Sequence, residues 1–247
     1  MHTKPPIEAV TFDLWNTLLV HDQEYDRGIH MLRSEGILEA LGQYGVKAAD
    51  VERAYELSDK LLLDRWSGHL DMDLGEQLSL FLECMGLEPT SELVSAIDGP
   101  YADAVLKIKP IVVEGALEAV EAIKDRGYRV GLISNTGRTP GRAMRKVLGQ
   151  YGFSGLFEAE SFSNEIGYQK PHAEIFRRTL LQLKSGPENA IHVGDHGLLD
   201  VLGAREAGMR SVQVTLHRNT DFRQYRPDVS IERISELSKA IDAMARE

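Results

Sequence analysis

Hydrophobic residues recur along the chain with two different periods, and the change between them separates two kinds of region. A short apolar run, IEAVTF at residues 7–12, is typical of a strand and leads directly to Asp13. From about residue 21 to residue 106 the apolar positions instead recur at helical spacing, as at Ile29, Leu32 and Leu41. This spacing predicts that residues 21–106 are nearly all helical.

After Pro110 the pattern alternates between helices and strands. The predicted strands are the apolar runs YRVGLIS, AIHVGD and RSVQVTL; the amphipathic segment GALEAVEAIKDRG precedes the first of them, and HAEIFRRTLLQL lies between the first two. Strands that alternate with helices in this way form a parallel sheet with helices on both faces. The sequence therefore predicts an α/β fold. Its core would be a Rossmann-like, doubly wound parallel sheet of residues 1–20 and 107–247, with the helical region 21–106 inserted as a second domain.

Composition and charge narrow the function classes. Of the 247 residues, 43% are hydrophobic and 27% are charged, as in ordinary soluble proteins. The formal net charge of −10 disfavours nucleic acid and anionic membranes as partners. The single cysteine, Cys84, excludes an intramolecular disulfide and a cysteine-based zinc site. With no signal-like or membrane-spanning run, we expect a cytoplasmic protein that acts on a small molecule. The sequence leaves the oligomeric state open.

Acidic side chains stand where two predicted strands end. Asp13 follows the first strand, Asp195 ends the run IHVGD, and Asp200 comes shortly after it at the start of a predicted helix. Ligands of such sheets bind beyond the carboxyl ends of the strands, so these acids converge on one crevice. Close carboxylates repel each other unless a hard divalent cation joins them. Each acid alone could instead cap a turn or helix, but together they favour a metal site.

Two further polar features lie near the same predicted crevice. Ser134 and Asn135 end the run VGLIS, where hydroxyl, amide and backbone N–H groups can hold anionic oxygens or simply form a turn and helix cap. Lys170 lies in GYQKPHAEIF, where it could neutralise a carboxylate and a transferred phosphate together. A lone lysine at such a position is more often a solvated surface charge.

These motifs, in this order, resemble those of the haloacid dehalogenase-like (HAD) hydrolase superfamily along almost the whole chain. FDLWNTL is similar to the first motif, LISN to the second, EIGYQKPHAEIF to the third, and IHVGDHGLLDVLGAREAGM to the fourth. The helical region resembles the C1 cap of this superfamily, which closes over the active site and selects substrates. The resemblance implies a hydrolase.

The resemblance also implies the roles of individual residues. Asp13 would be the nucleophile that forms an aspartyl intermediate, and Lys170 would steady it and neutralise charge. Ser134 would hydrogen-bond the phosphoryl group, with Thr17 and Asn135 as further substrate contacts.

A metal role follows from the same resemblance. Asp13 and Asp195 would bind Mg²⁺ together with the backbone carbonyl of Trp15. Asp200 would support the metal shell or orient Lys170.

The first motif departs from the usual pattern at Trp15. Phosphatases of this superfamily normally carry a second aspartate there, which protonates the leaving oxygen and then activates water. Such help is typically worth about 10²–10⁴-fold in rate. An indole N–H is a donor only and cannot replace this acid. A sequence DLWNT therefore predicts either a substitute proton donor or substrates with good leaving groups.

Three functions remain open on the sequence. The first is a Mg²⁺-dependent phosphohydrolase of a small phosphorylated metabolite. The second is a 2-haloacid dehalogenase, because a halide leaving group needs no proton. Against it, dehalogenases use no metal and typically replace the acid found here as Asp195, and neither Arg27 nor Arg33 convincingly matches their halide-binding arginine. The third is a non-catalytic module that binds a metal or ligand, which the retention of Asp13, Lys170 and both later acids disfavours.

Two segments are candidates for proton transfer and substrate choice. His21, just past the first motif, could titrate near neutral pH or could be a solvated hinge residue. The segment DRWSGHLDM, residues 64–72, is predicted to be a loop between cap helices that reaches into the site. Its possible substrate contacts are Arg65, Trp66 and His69, although Trp66 could instead pack inside the cap.

Overall fold

A computed structural model of the protein describes residues 6–217 and 225–246. Within these residues the chain forms eight strands and ten α-helices. The strands are β1 (Ala9–Phe12), β2 (Leu19–Val20), β3 (Ile111–Val112), β4 (Arg129–Ser134), β5 (Ala159–Phe162), β6 (Ala190–Gly194), β7 (Arg210–Val214) and β8 (Val229–Ile231). The helices are α1 (Gln23–Leu41), α2 (Ala48–Ser67), α3 (Leu74–Cys84), α4 (Ser91–Ala102), α5 (Ala116–Asp125), α6 (Gly141–Gln150), α7 (Ser163–Ile166), α8 (Ala173–Leu183), α9 (Gly203–Glu206) and α10 (Leu237–Arg246).

Six of the strands form one parallel sheet in the order β5–β4–β1–β6–β7–β8. Helices α5, α6 and α10 share a hydrophobic cluster with one face of this sheet, and α8 and α9 cover the other. The predicted Rossmann-like, doubly wound parallel sheet is therefore confirmed. Strand β1 lies in the middle, between β4 and β6, so residues that follow these three strands meet at one edge.

The sheet contains two strands that the hydrophobic pattern did not predict. Strand β5, with the sequence AESF, carries Glu160 and Ser161, and the three-residue β8 carries Ser230. Both are short, and β5 and β8 are the two outer strands of the sheet, where only one neighbour is needed. A polar, short edge strand lacks the continuous apolar run that marks β4 or β6.

The helical region between β2 and β3 has a hydrophobic core of its own. Helices α1 to α4 pack together around Tyr55, Phe81, Ile97 and Tyr101, all of which are buried. Since this core is separate from the two clusters on the sheet, the insertion is a packed layer rather than an extended loop. Helix α1 begins at Gln23 and α4 ends at Ala102, inside the expected boundaries of residues 21–106. The exact boundaries stay a prediction.

A short antiparallel pair stands where the chain leaves the sheet for the helical insertion and returns. Leu19 pairs with Val112 and Val20 pairs with Ile111. This two-stranded ribbon directly follows the turn that carries Trp15. Among the described residues, no helix is both long and apolar enough to cross a membrane.

The prediction of a loop at residues 64–72 is partly wrong. Helix α2 continues through Arg65 and Trp66 to Ser67, and the irregular stretch begins only at Gly68. The polar run DRWS reads as a breaker in sequence, but the buried Leu62 and Ser58 hold α2 against its neighbours and the helix extends for another turn. Asp71, in the remaining loop, is buried and accepts hydrogen bonds from Trp66 Nε1 at 2.9 Å and Ser163 Oγ at 2.5 Å.

Candidate active site

Asp13 stands at the carboxyl end of the central strand. Its backbone N–H donates to the carbonyl of Val193 at 2.8 Å, which continues the pairing of β1 with β6 by one residue. The side chain is 5% exposed, and Thr17 Oγ1 donates to its Oδ2 at 3.1 Å. A carboxylate so deeply buried is costly unless it is paired, so its partners decide what the site can do.

Lys170 is the main partner of Asp13. Its Nζ donates to Asp13 Oδ1 in a short contact and to Asp200 Oδ1 at 2.6 Å, and the lysine is 2% exposed. Asn135 positions it from the next strand, since the Lys170 N–H donates to Asn135 Oδ1 at 2.8 Å and Asn135 Nδ2 donates to the Lys170 carbonyl at 3.1 Å. The predicted surface-lysine alternative is therefore wrong, because this lysine joins two buried carboxylates.

Asp200 is held by groups that the sequence interpretation missed. His192 Nε2 lies 3.2 Å from Asp200 Oδ1, and the backbone N–H of His196 donates to Asp200 Oδ2 at 2.8 Å. Asp200 projects from a π-helical turn, Gly197–Leu202, and approaches β6 so closely that a Cβ at Gly194 would lie 2.3 Å from its Cγ. Glycine is thus required before Asp195. A histidine inside the apolar run AIHVGD was the available signal for His192.

Three carboxylates gather at this edge of the sheet. Oxygen atoms of Asp13, Asp195 and Asp200 lie within 4.8 Å of one another, and all three residues are buried. They line a cavity of about 80 Å³ together with Trp15, Asn16, Asn135, Lys170, His196 and Leu199. Oxygen donors at this spacing fit a hard divalent cation such as Mg²⁺.

The electrostatics of the cluster agree with that fit. Burial raises the pKa of Asp13 to about 7, and Asp200 and Asp195 add to the increase while Lys170 opposes it. Burial acts in the same direction on Asp200, but Lys170 and His192 outweigh it and hold the pKa of that carboxyl well below its usual range. Although burial disfavours the Lys170 ammonium, Asp13 and Asp200 raise its pKa. One ammonium thus binds two acids while Asp195 adds a third negative charge nearby, and a divalent cation would relieve the repulsion that raises the pKa of Asp13.

Trp15 forms a wall between this cavity and a larger one. Its ring contacts His21 edge-on with ring centroids 5.0 Å apart, and His21 Nδ1 lies 2.9 Å from Asp26 Oδ1. Trp15 and Asn135 line both cavities. The larger cavity has about 350 Å³, lies between the helical insertion and the loop after β4, and is also lined by His21, Arg33, Tyr55, Arg138 and Thr139 among others.

Several of the predicted site residues do not line either of these two cavities. Ser134 is fully buried at the end of β4 and does not line either cavity. Arg65, Trp66 and His69 also line neither, and Arg65 is exposed. The His69 carbonyl instead accepts from the N–H of Gln169 at 2.9 Å, so the end of this loop is fixed to the sheet domain. Their roles as substrate contacts stay predictions.

Comparison with known proteins agrees with this geometry. The model of the haloacid dehalogenase-like hydrolase family matches residues 7–208, which include β1, the insertion and the acids after β6. The chain belongs to this family. It is a hydrolase by that membership, and the family resemblance inferred from its motifs is confirmed.

Relatives of this HAD-like hydrolase include phosphatases. Glyceraldehyde 3-phosphate phosphatase of Methanopyrus kandleri is 26% identical over 98% of this chain and all of its own. A 2-haloacid dehalogenase from Pseudomonas syringae pv. Tomato shares the fold with a TM-score of 0.75 and 23% identity, covering 97% of this chain and 100% of the other. A HAD phosphatase from Thermococcus onnurineus has a TM-score of 0.65 and 22% identity, covering 95% and 98%.

Proposed function

We propose that this HAD-like hydrolase is a Mg²⁺-dependent phosphohydrolase of a small phosphorylated metabolite, acting through an aspartyl-phosphate at Asp13. The observation that carries this proposal is the cluster of three buried carboxylates, two of which bind the Lys170 ammonium. A dehalogenase reaction needs no metal, so it gives no reason to place Asp195 beside the nucleophile, whereas Asp200 has a partner in Lys170 in either reaction. Similarity to a sugar-phosphate phosphatase over the full chain supports the same class of substrate.

The residues of the site would have the following roles in the reaction. Asp13 would attack phosphorus through a carboxylate oxygen, and the bond from phosphorus to the leaving oxygen would break with its electron pair. Water would then attack the aspartyl-phosphate, release phosphate and restore the carboxylate. Lys170 would neutralise charge on the transferring group, since its Nζ already lies on Asp13.

The metal would be held by the residues of the smaller cavity. Asp13, Asp195 and the backbone carbonyl of Trp15 would bind Mg²⁺, with Asp200 in support. When bound, Mg²⁺ supplies positive charge to the phosphoryl oxygens. The insertion, residues 21–106, would act as the cap over the site, and residues 1–20 and 107–247 as the catalytic core.

Proton supply to the leaving oxygen distinguishes this protein from an ordinary phosphatase of the family. Trp15 occupies the position of the usual acid and cannot donate a titrating proton. Substrates with good leaving groups should therefore react fastest. His21, which contacts the Trp15 ring, stays our candidate for a substitute donor.

Phosphate release from acetyl phosphate and p-nitrophenyl phosphate tests the proposal. We expect turnover that needs Mg²⁺ and falls by at least about 10³-fold in Asp13→Asn, with unchanged circular dichroism. Chloride release from 2-chloropropionate without metal would instead assign the protein to the dehalogenases. Metal binding by a folded protein that hydrolyses neither substrate class would point to a binding module.

A further inference from the structure

One charged side chain of the larger cavity lies in the buried stripe of an amphipathic helix. The buried residues of α1 are Ile29, Arg33, Ile37 and Leu41, spaced four apart. Three of them are apolar, as expected for a helix face that packs on a core. Arg33 takes the remaining place with only 7% of its surface exposed. The sequence carries this signal, because an arginine there interrupts an apolar stripe.

Arg33 has no acid to neutralise it within the described residues. Its Nε donates to the carbonyl of Tyr101 at 2.8 Å and its Nη2 to Thr139 Oγ1 at 2.6 Å. Both acceptors are uncharged, and burial lowers the pKa of the guanidinium. A buried cation without an anion is costly, so a partner from outside the chain would stabilise it.

A second polar group of the same cavity lacks a partner. Tyr55 is 5% exposed, and its hydroxyl is buried without a hydrogen bond in the described part of the chain. Its ring lies under Arg138, whose Cζ is 5.0 Å from the ring centroid. An orphaned buried hydroxyl is rare in folded proteins and is a donor that a ligand could satisfy.

The acids on the cavity wall are already paired. Asp26 binds His21 at 2.9 Å, and Asp59 binds Arg138. His30 binds Glu52 at 3.0 Å. Asp26 and Asp59 have side chains that are 56% and 53% exposed, so water screens them. The deep part of the cavity is thus positive, with Arg33 as its uncompensated charge.

We propose that Arg33 and Tyr55 bind a second anionic group of the substrate, a carboxylate or a phosphoryl group on the side of the leaving group. This deepens the proposed function and rests on it for the identity of the first group. The cavity shares Trp15 and Asn135 with the cavity at Asp13, so the two cavities are adjacent, and the proposed substrate would extend past Trp15 from one to the other. Its volume of about 350 Å³ suits a metabolite of a few carbons.

Matched ligands separate the second anion from the first. 3-Phosphoglycerate and glycerol 3-phosphate differ only in a carboxylate against a hydroxymethyl group, and glycerol 1,3-bisphosphate offers a second phosphoryl group instead. Calorimetry on the Asp13→Asn protein with Mg²⁺ would measure their binding without turnover. We expect one of the two ligands that carry a second anionic group to bind at least about 10-fold more tightly than glycerol 3-phosphate. The tighter of the two identifies the group that the cavity accepts.

Variants then assign the effect. Tyr55→Phe should weaken the preferred ligand by about 10-fold, and Arg33→Met by about 100-fold, while glycerol 3-phosphate binding stays the same in both. Arg27→Met, on the exposed side of the same helix, is the matched control and should change neither. Since the Tyr55 hydroxyl has no partner to lose, Tyr55→Phe should unfold at the same or higher denaturant concentration than its parent.

The outcomes separate this proposal from the proposed function. Equal or absent binding of all three ligands would overturn it, as would an equal loss of all three in Tyr55→Phe. Arg33-dependent binding by a protein whose wild-type form releases no phosphate would sustain it and overturn the phosphohydrolase assignment.

Discussion

The two cavities that meet at Trp15 treat their charges in opposite ways. At the end of β1, the Lys170 ammonium binds both Asp13 and Asp200, and Asp200 has two further partners on β6 and the turn after it. Under the helical insertion, the hydrogen bonds of Arg33 within the described residues go to a carbonyl and a hydroxyl, and its guanidinium lies 5.8 Å from the centroid of the Tyr101 ring. Charges that pair within the protein fix a geometry, whereas a buried charge without a partner is available to a ligand.

The same contrast holds between two arginines of the larger cavity. Arg138 donates to Tyr101 Oη at 2.8 Å and Ser58 Oγ at 2.8 Å and pairs with Asp59, so it joins the loop after β4 to the insertion. Arg33 donates to Thr139 of the same loop, but it pairs with no acid in the part of the chain that the structure describes. We infer that Arg138 holds the insertion in place and that Arg33 recognises the ligand.

Removing Lys170 would leave the carboxylates of the cavity at Asp13 without their cation and should have the largest effect. Lys170→Met leaves Asp13 and Asp200 buried together without their cation, which should lower the free energy of unfolding by about 3–5 kcal/mol at neutral pH without metal. Denaturant unfolding measures this. Lys146→Met is the control, because Lys146 is exposed and lies 3.5 Å from Asp103, a pair worth about 0–1 kcal/mol. Equal losses in the two variants would show that the Lys170 pairs stabilise nothing.

Restoring an acid at position 15, where the two cavities meet, tests whether a side chain there transfers a proton to the leaving group. Trp15→Asp should hydrolyse an alkyl phosphate about 10²-fold faster than Trp15→Asn, because the two side chains have nearly the same shape but only the aspartate transfers a proton. Both variants lose the same aromatic packing, so the ratio isolates proton transfer. On acetyl phosphate, whose leaving group needs no proton, the two variants should form the aspartyl-phosphate at the same rate and differ only in its hydrolysis. Equal rates of aspartyl-phosphate formation from the alkyl phosphate in the two variants would contradict the assignment of position 15 to proton donation.

Metal binding should depend on pH because of Asp13. Its pKa of about 7 in the metal-free protein means that protons compete with the cation below that pH, whereas the carboxylate is already ionised above it. Mg²⁺ affinity should therefore rise about 10-fold per pH unit below pH 7 and level off above it. Calorimetric titration over this range measures the effect. An affinity that stays constant through this range would mean that Asp13 is ionised before the metal binds.

The sequence predicted the residues of the cavity at Asp13 better than those of the larger cavity, which contains Arg33. Asp13, Asp195 and Lys170 lie beside strand ends or in family motifs, and the geometry of a parallel sheet brings such positions together. Arg33 and Tyr55 meet only through the packing of α1 and α2, which depends on contacts between distant residues. The charged interruption in the α1 stripe was visible in sequence, but its missing partner was not.

The edge strands and the boundary between α2 and the following loop were not predicted correctly for a related reason. Strand β5 is short and polar, and its place beside β4 is set by pairing rather than by its own pattern. Helix α2 continues through Trp66 because its buried face packs on α3, although the letters DRWSG favour a turn. Local sequence describes strongly apolar elements, and the sheet and the helical core decide the rest.

Trapping the covalent intermediate tests the central claim most directly. The protein would be mixed with acetyl phosphate and Mg²⁺, quenched rapidly in acid, digested and examined by mass spectrometry. We predict one added phosphoryl group on the peptide that contains Asp13, absent in Asp13→Asn and absent when Mg²⁺ is chelated. Phosphate release by the wild-type protein with no modified Asp13 at any quench time would contradict the account.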